Sequence, residues 1–233
     1  MNGVSDMVLA RNELSRKLRV VEPEPELESA FERLSNCIAD MRDTISKTRM
    51  QRVDRLFMAI PRMVRDLSRE LGKKIELVLE GGDVEMDREM VEAVIDPLTH
   101  IVRNSIDHGI ESPEQRRAVG KREMGTLRVS AHQSGSQIVI EVADDGRGIN
   151  TDAVVSKVVS AGLMSIQDVA QLSEQAKMEL IFTPGLSTAQ EVTAISGRGV
   201  GMDIVRANIE RIGGVISLAS EPGRGLTLTM RVP

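Results

Sequence analysis

The chain has 233 residues, 41% of them hydrophobic and 28% charged, and carries a formal net charge of -5; that is ordinary for a globular protein, excludes a basic nucleic-acid face, and leaves one large or two modest domains. Three Phe with no Trp or Tyr offer no base-stacking platform, and the single cysteine, Cys37, excludes an internal disulfide framework and suits a reducing compartment. No apolar run approaches the roughly 20 residues that a membrane-spanning helix requires, so the expectation is a cytoplasmic protein with neither membrane insertion nor nucleic-acid binding.

Residues 1 to about 71 read as helix. Val4, Met7, Leu14, Leu18 and Val21 mark one apolar stripe at spacings of three and four, interrupted by Arg11. Pro23 and Pro25 break the helix, because each lacks an amide donor and restricts the residue before it. A second stripe, Phe31, Leu34, Ile38, Met41 and Ile45, continues after a phase shift through Met50, Val53, Phe57 and Ile60. A heptad rhythm with a stutter favours helix-on-helix packing, with a kink at Pro61. The expectation is an antiparallel helical hairpin that pairs with a second copy as a four-helix bundle; folding back onto the rest of the chain is the alternative.

From Lys73 onward strands and helices alternate. Strands are expected at 73–80, 126–132, 137–143, 215–219 and 226–232, and helices at 85–108, 151–161, 165–179 and 201–212. This order predicts an α+β sandwich, a sheet covered on one face by helices.

Four segments carry candidate chemistry. His100, Asn104, Asp107 and His108 recur at helical spacing, so they share one face. Two imidazoles, an amide and a carboxylate are costly to bury against an apolar sheet, yet suit a cation or a phosphate chain; the alternative is a solvated helix face. Asp144-Asp145-Gly146-Arg147-Gly148-Ile149 places a carboxylate at a strand end before spaced glycines. Asp144 can accept from an exocyclic amine such as adenine N6, with Gly146 and Gly148 removing side chains from the ring's path; an acidic turn is the plainer reading. Ile181 to Thr188 reads as a hinge-rich lid or as a surface turn with one buried Phe. Gly197-Arg198-Gly199-Val200-Gly201-Met202 leads into a helix, where exposed amides and the helix dipole favour phosphate.

Together, "DPLTHIVRNSIDHGIE" from Asp96, "DDGRGI" from Asp144, "IFTPGLSTA" from Ile181 and "SGRGVGMDIV" from Ser196 resemble the N box, first glycine box, F box and second glycine box of the GHKL ATPase superfamily. Within it they are most similar to the bacterial chemotaxis histidine kinases. "MVLARNEL" from Met7 and "RMVRDLSRELGKKIEL" from Arg62 resemble that group's dimerisation domain and its join to the kinase domain.

The resemblance implies a dimerisation hairpin over residues 1–71 and, over 72–233, a Bergerat-type ATP-binding kinase domain with a mixed sheet. Asp144 becomes the adenine-reading carboxylate, and Thr227 its support through water. Asn104 becomes the magnesium ligand, and His100 either a second ligand or a base. His100, Asn104 and His108 are then the catalytic candidates. The ATP-contacting set is Asn104, Asp107, Asp144, Gly146, Gly148, Ile149, Gly197, Arg198, Gly199, Val200, Gly201, Met202 and Thr227, beneath a lid from about Asn150 to Ser196. Leu226 and Leu228 depart from the Thr and Phe usual there.

The only histidines are His100, His108 and His132, all within the kinase region. The phosphoacceptor is therefore expected on a separate phosphotransfer domain. A domain coupling to receptors and adaptor is expected beyond Pro233, and response regulators act downstream. The expected function is ATP- and Mg2+-dependent protein-histidine kinase activity in chemotaxis two-component signalling. A GHKL ATPase of another kind, or a nucleotide-binding dimer scaffold without catalysis, are the alternatives.

Overall fold

A computed structural model describes residues 2–18, 25–186 and 201–233. The chain divides into two compact units that meet between Met50 and Gln51.

The first unit contains α1 (Asn2–Leu18) and α2 (Pro25–Arg49), which contact one another. Ile38 is buried, while Met7, Leu14, Leu27, Leu34 and Met41 stay exposed. Leu27, Leu34 and Met41 repeat every seven residues, so α2 carries an open apolar seam.

The expected continuous helix through Ile60 does not form. α2 stops at Arg49, a short strand β1 (Met50–Arg52) intervenes, and two helices follow, α3 (Asp54–Phe57) and α4 (Ile60–Glu70). Pro61 therefore does not kink a long helix. It sits in the first turn of α4, where its missing N–H has no intrahelical partner to lose. Leu56, Phe57, Ile60, Val64 and Leu67 are buried in the second unit's core, which moves the boundary some way before the expected residue 71.

The second unit is an α+β sandwich. Its sheet runs in the order β2 (Ile75–Glu80), β4 (Gly125–Ser134), β5 (Gln137–Asp144), β7 (Gly225–Val232), β6 (Val215–Glu221). β2 and β4 are parallel and the other neighbours antiparallel, so the sheet is mixed. Alternation sorts the faces: Leu127, Val129, Ile140, Val142, Leu228 and Met230 are buried, whereas Arg128 and Arg231 are exposed. α4, α5 (Arg88–Asn104) and α10 (Met202–Arg211) pack against this sheet and against one another.

Between these lie β3 (Glu85–Asp87), which pairs with β1 and shortens the expected helix, and α6 (Pro113–Ala118), α7 (Thr151–Ser160), α8 (Ile166–Ala170) and α9 (Glu174–Glu179). The single helix expected over 165–179 is two, because the Ser173 hydroxyl accepts from Ala176 N and caps a fresh start. α6 went unpredicted although its signal was present. Ser112-Pro113-Glu114-Gln115 is a capping box with Pro in the first turn, its two hydrogen bonds spanning 3.3 and 3.2 Å.

Candidate nucleotide site at the end of strand β5

α5 carries buried Pro97 in its interior, and after Asn104 the helix widens into a single π-turn, Ser105–Gly109, with Ile110 N donating to Ser105 O at 2.8 Å. Such a turn inserts extra backbone and rotates the residues beyond it out of α-helical phase. His100 and Asn104 stay on one α5 face; Asp107 and His108 belong to the π-turn, with His108 exposed. The four side chains thus do not form one continuous α-helical stripe. Lys73 secures the turn, its Nζ donating to the carbonyls of Ile106 (2.6 Å) and Asp107 (2.8 Å).

Asp144 ends β5 and is only 7% exposed. Its Oδ1 accepts from Gly146 N at 3.0 Å, while its buried Oδ2 has no hydrogen-bond partner within the protein. Burial pushes its carboxyl above the usual carboxylate range. The Gly146 amide, the neighbouring Ser105 hydroxyl and the Leu226 backbone oppose that rise, and the charge of Asp145 adds to it. A native buried acceptor left open is expensive, which marks it for a donor that arrives from outside.

The glycines around this carboxylate serve the backbone. A Cβ on Gly146 would strike the carbonyl of Gly109, against which the loop lies closely enough for Arg147 N to donate to Gly109 O at 2.9 Å. Gly148 has φ +70°, and a Cβ there would meet Glu221 O at 2.7 Å. Gly109, absent from the predicted set, is the residue that keeps the open oxygen clear, since its Cβ would sit 2.9 Å from Asp144 Oδ2. Chain packing therefore requires glycine at both Gly146 and Gly148.

Thr227 does not support Asp144. It pairs with Ala143, one residue out of register, and strand alternation turns it to the opposite face; Leu226 pairs with Asp144. The hydroxyl beside Asp144 is that of Ser105, while Ser220 pairs with Leu226 on β6. Ser220 Oγ donates to Gly225 O (3.0 Å) and accepts from Ile149 N (2.8 Å), tying the glycine loop to the β6–β7 turn.

The tertiary structure joins the α5 face to the start of α10. Asn104 Nδ2 donates to Met202 Sδ at 3.2 Å, and Gly201 caps α10 without a side chain. Commitment of the amide nitrogen leaves Asn104 Oδ1 as the atom able to meet a cation. No cluster of three His, Cys, Asp or Glu side chains able to hold a metal occurs among the described residues. A magnesium ion fits this donor set, because it keeps several waters and needs only one or two protein oxygens beside phosphate. Burial holds the His100 imidazole below its ordinary value; Arg103 and His108 add to the drop and Asp203 opposes it. Phe182 is buried beneath α10, with the Arg206 guanidinium 4.0 Å from its ring centroid. Gly197, Arg198, Gly199, Val200 and the later part of the expected lid lie outside the described residues.

Sequence reasoning also missed the charged cluster behind the Asp144 turn, built from Glu111, Arg116, Lys121 and Asp145. A cavity of about 710 Å³ between α4 and the edge strand β2 meets this site only at Lys73. Its apolar wall, with Lys73 and Lys74 already bonded, gives it volume without the open acceptor found at Asp144.

The family of histidine kinase-, DNA gyrase B- and HSP90-like ATPases matches residues 93–233, the region holding His100, Asn104, Asp144 and the glycine loop after β5. The chain belongs to that ATPase family. ATP binding comes with membership. Sensor histidine kinase CheAY of Helicobacter pylori is 44% identical over 240 residues, covering 100% of this chain and 30% of that protein. Chemotaxis protein CheA of Klebsiella aerogenes is 40% identical over 235 residues (100% and 36%), and that of Bacillus subtilis 40% over 233 residues (100% and 34%). The chain spans about a third of the length of these curated relatives. The resemblance to chemotaxis kinases read from six short segments thus holds over the whole sequence.

Proposed function

We propose that this chain is the ATP-binding core of a protein-histidine kinase of chemotaxis signalling, which passes the γ-phosphate of ATP to a histidine on a separate phosphotransfer domain. The observation that carries the reading is the open Oδ2 of buried Asp144, an acceptor suited to the exocyclic amine of adenine. Asn104 on α5, the helix that also carries His100, bonds Met202 at the start of α10, and this grouping of an amide, an imidazole and helix-start N–H groups suits the triphosphate. Bound magnesium would neutralise phosphate charge beside Asn104. His100, kept neutral by burial, can orient or accept a proton from the incoming imidazole.

Relatives named as chemotaxis and sensor histidine kinases support this reading, and the chain's three histidines all lie in the ATPase region, which puts the acceptor elsewhere. Signal input through a receptor-coupling domain, output to response regulators and a cytoplasmic location belong to the same reading. No described helix is long and apolar enough to cross a membrane. The exposed seam on α2 supports a homodimer built by the N-terminal helices.

Incubating the chain with γ-labelled ATP, magnesium and an isolated phosphotransfer domain tests the reaction. Label on the added domain is the expected result; free phosphate alone would identify a hydrolase, and neither product a nucleotide-dependent scaffold. Asp144→Ala weakens ATP binding by roughly tenfold to a hundredfold, from the loss of one charge-assisted hydrogen bond. Unchanged affinity in that variant removes the adenine assignment.

A further inference from the structure

We infer that Arg116 is a positioning residue for nucleotide recognition: with Lys121 it clamps the Asp145–Gly146 turn, so that Asp144 commits one oxygen to Gly146 and presents the other to the base. This rests on the reading of Asp144 as the group that meets adenine.

Arg116 lies on α6, a six-residue helix, and its side chain is 2% exposed. An apolar side chain could close so short a helix without desolvating a guanidinium, so the buried charge calls for a reason. Each of the three guanidinium nitrogens donates a hydrogen bond. Nη1 and Nη2 fork the Asp145 carboxylate at 3.0 and 2.8 Å, Nη1 also reaches Glu111 Oε2 at 3.1 Å, and Nε donates to Arg122 O at 2.6 Å. Asp145 Oδ1 further accepts from Thr126 N at 2.9 Å, which anchors the turn to β4.

The decisive contacts are to backbone. The carbonyl of Asp145 accepts from Arg116 Nη1 at 3.2 Å and from Lys121 Nζ at 2.9 Å, and the carbonyl of Gly146 accepts from Lys121 Nζ at 2.7 Å. In a trans peptide the C=O and the following N–H point in opposite directions. Drawing the Asp145 carbonyl toward two cations therefore aims the Gly146 N–H the other way, at Asp144 Oδ1, 3.0 Å distant. That hydrogen bond, beside the Ser105 hydroxyl and the Leu226 backbone, helps fix the Asp144 carboxylate, whose Oδ2 stays the open acceptor. Glu111, bonded to Lys121 at 2.8 Å and to Arg116, holds both cations in place. None of these side chains needs to touch the ligand.

The test is calorimetric titration of the whole chain with two magnesium–nucleotide probes, AMP-PNP and GMP-PNP. The variants are Arg116→Lys, which keeps the charge but loses the fork, and Asp145→Asn, whose site is 41% exposed and tolerates the change. Far-UV circular dichroism confirms that each is folded. Each variant is expected to weaken AMP-PNP binding roughly tenfold while GMP-PNP changes by less than about twofold, because adenine carries at C6 the amine that the placed oxygen accepts, where guanine carries a carbonyl. In an Asp144→Asn background, Asp145→Asn is expected to cost less than about twofold, since a residue that acts through another has nothing left to position. Equal losses for both nucleotides, an unchanged AMP-PNP affinity, or the same cost in both backgrounds would overturn the positioning role. If Asp144→Asn itself leaves AMP-PNP binding unaltered, the reading of Asp144 fails first, a result distinct from the others.

Discussion

At the residue scale, the cleft is organised around an acid that folding alone would not choose. Asp144 is buried with one oxygen unpartnered, and burial raises its carboxyl above the ordinary value. A carboxylate whose folded-state value is raised favours folding most when protonated. Its contribution is fully present below the unfolded value and is lost as pH rises through the raised folded value, so at neutral pH the charge is a standing cost. Asp144→Asn is accordingly expected to raise the melting temperature at pH 7 by roughly 2–4 °C while it weakens nucleotide binding. Thermal melts on a descending pH series should show the gap between variant and parent closing once the acid is protonated. A variant less stable than the parent at pH 7 would show that the charge is already compensated within the fold.

At the element scale, three junctions define the site: the π-turn after α5, the start of α10, and the glycine loop after β5. Ser220 ties the last of these to the β6–β7 turn, by accepting from Ile149 N and donating to Gly225 O. Ser220→Ala leaves a half-buried amide and a carbonyl without their partner, at a cost of about 1–3 kcal/mol. Urea denaturation should register that loss, accompanied by a weaker nucleotide affinity as the loop loosens. Stability unchanged within error would mean that water replaces the hydroxyl. The π-turn explains why Asp107 and His108 depart from the expected stripe: helical spacing read along the chain presumes α geometry, and one wider turn breaks the phase. The capping box of α6 could have been found from its four residues, since its signal is local.

At the scale of the whole molecule, the two units differ in what they bury. The ATPase unit encloses a continuous core of helices on a mixed sheet, whereas the N-terminal helices expose Leu34 and Met41 on a heptad seam. In a homodimer, replacing both with glutamate is expected to convert the chain to a monomer in analytical ultracentrifugation, because charges at seam positions oppose pairing. Nucleotide affinity should persist in that monomer, since the site elements lie within residues 51–233. A parent chain that sediments as a monomer at micromolar concentration would remove the dimer from the account.

The sequence by itself determined the parts of this protein that depend on neighbours along the chain. Strand alternation, the Asp-Gly-x-Gly turn after β5, the Asn on α5 and the glycines before α10 are each local patterns, and their order sufficed to indicate the family and the sandwich. Tertiary structure alone decided what depends on partners far apart in sequence. Only the register of β7 against β5 turns Thr227 away from Asp144, and only folding brings Arg116 to Asp145, 29 positions away. It also determines which oxygen of Asp144 stays open. The physical reason is that propensity and periodicity act over a few bonds, whereas the satisfaction of a buried polar atom is a property of everything packed around it.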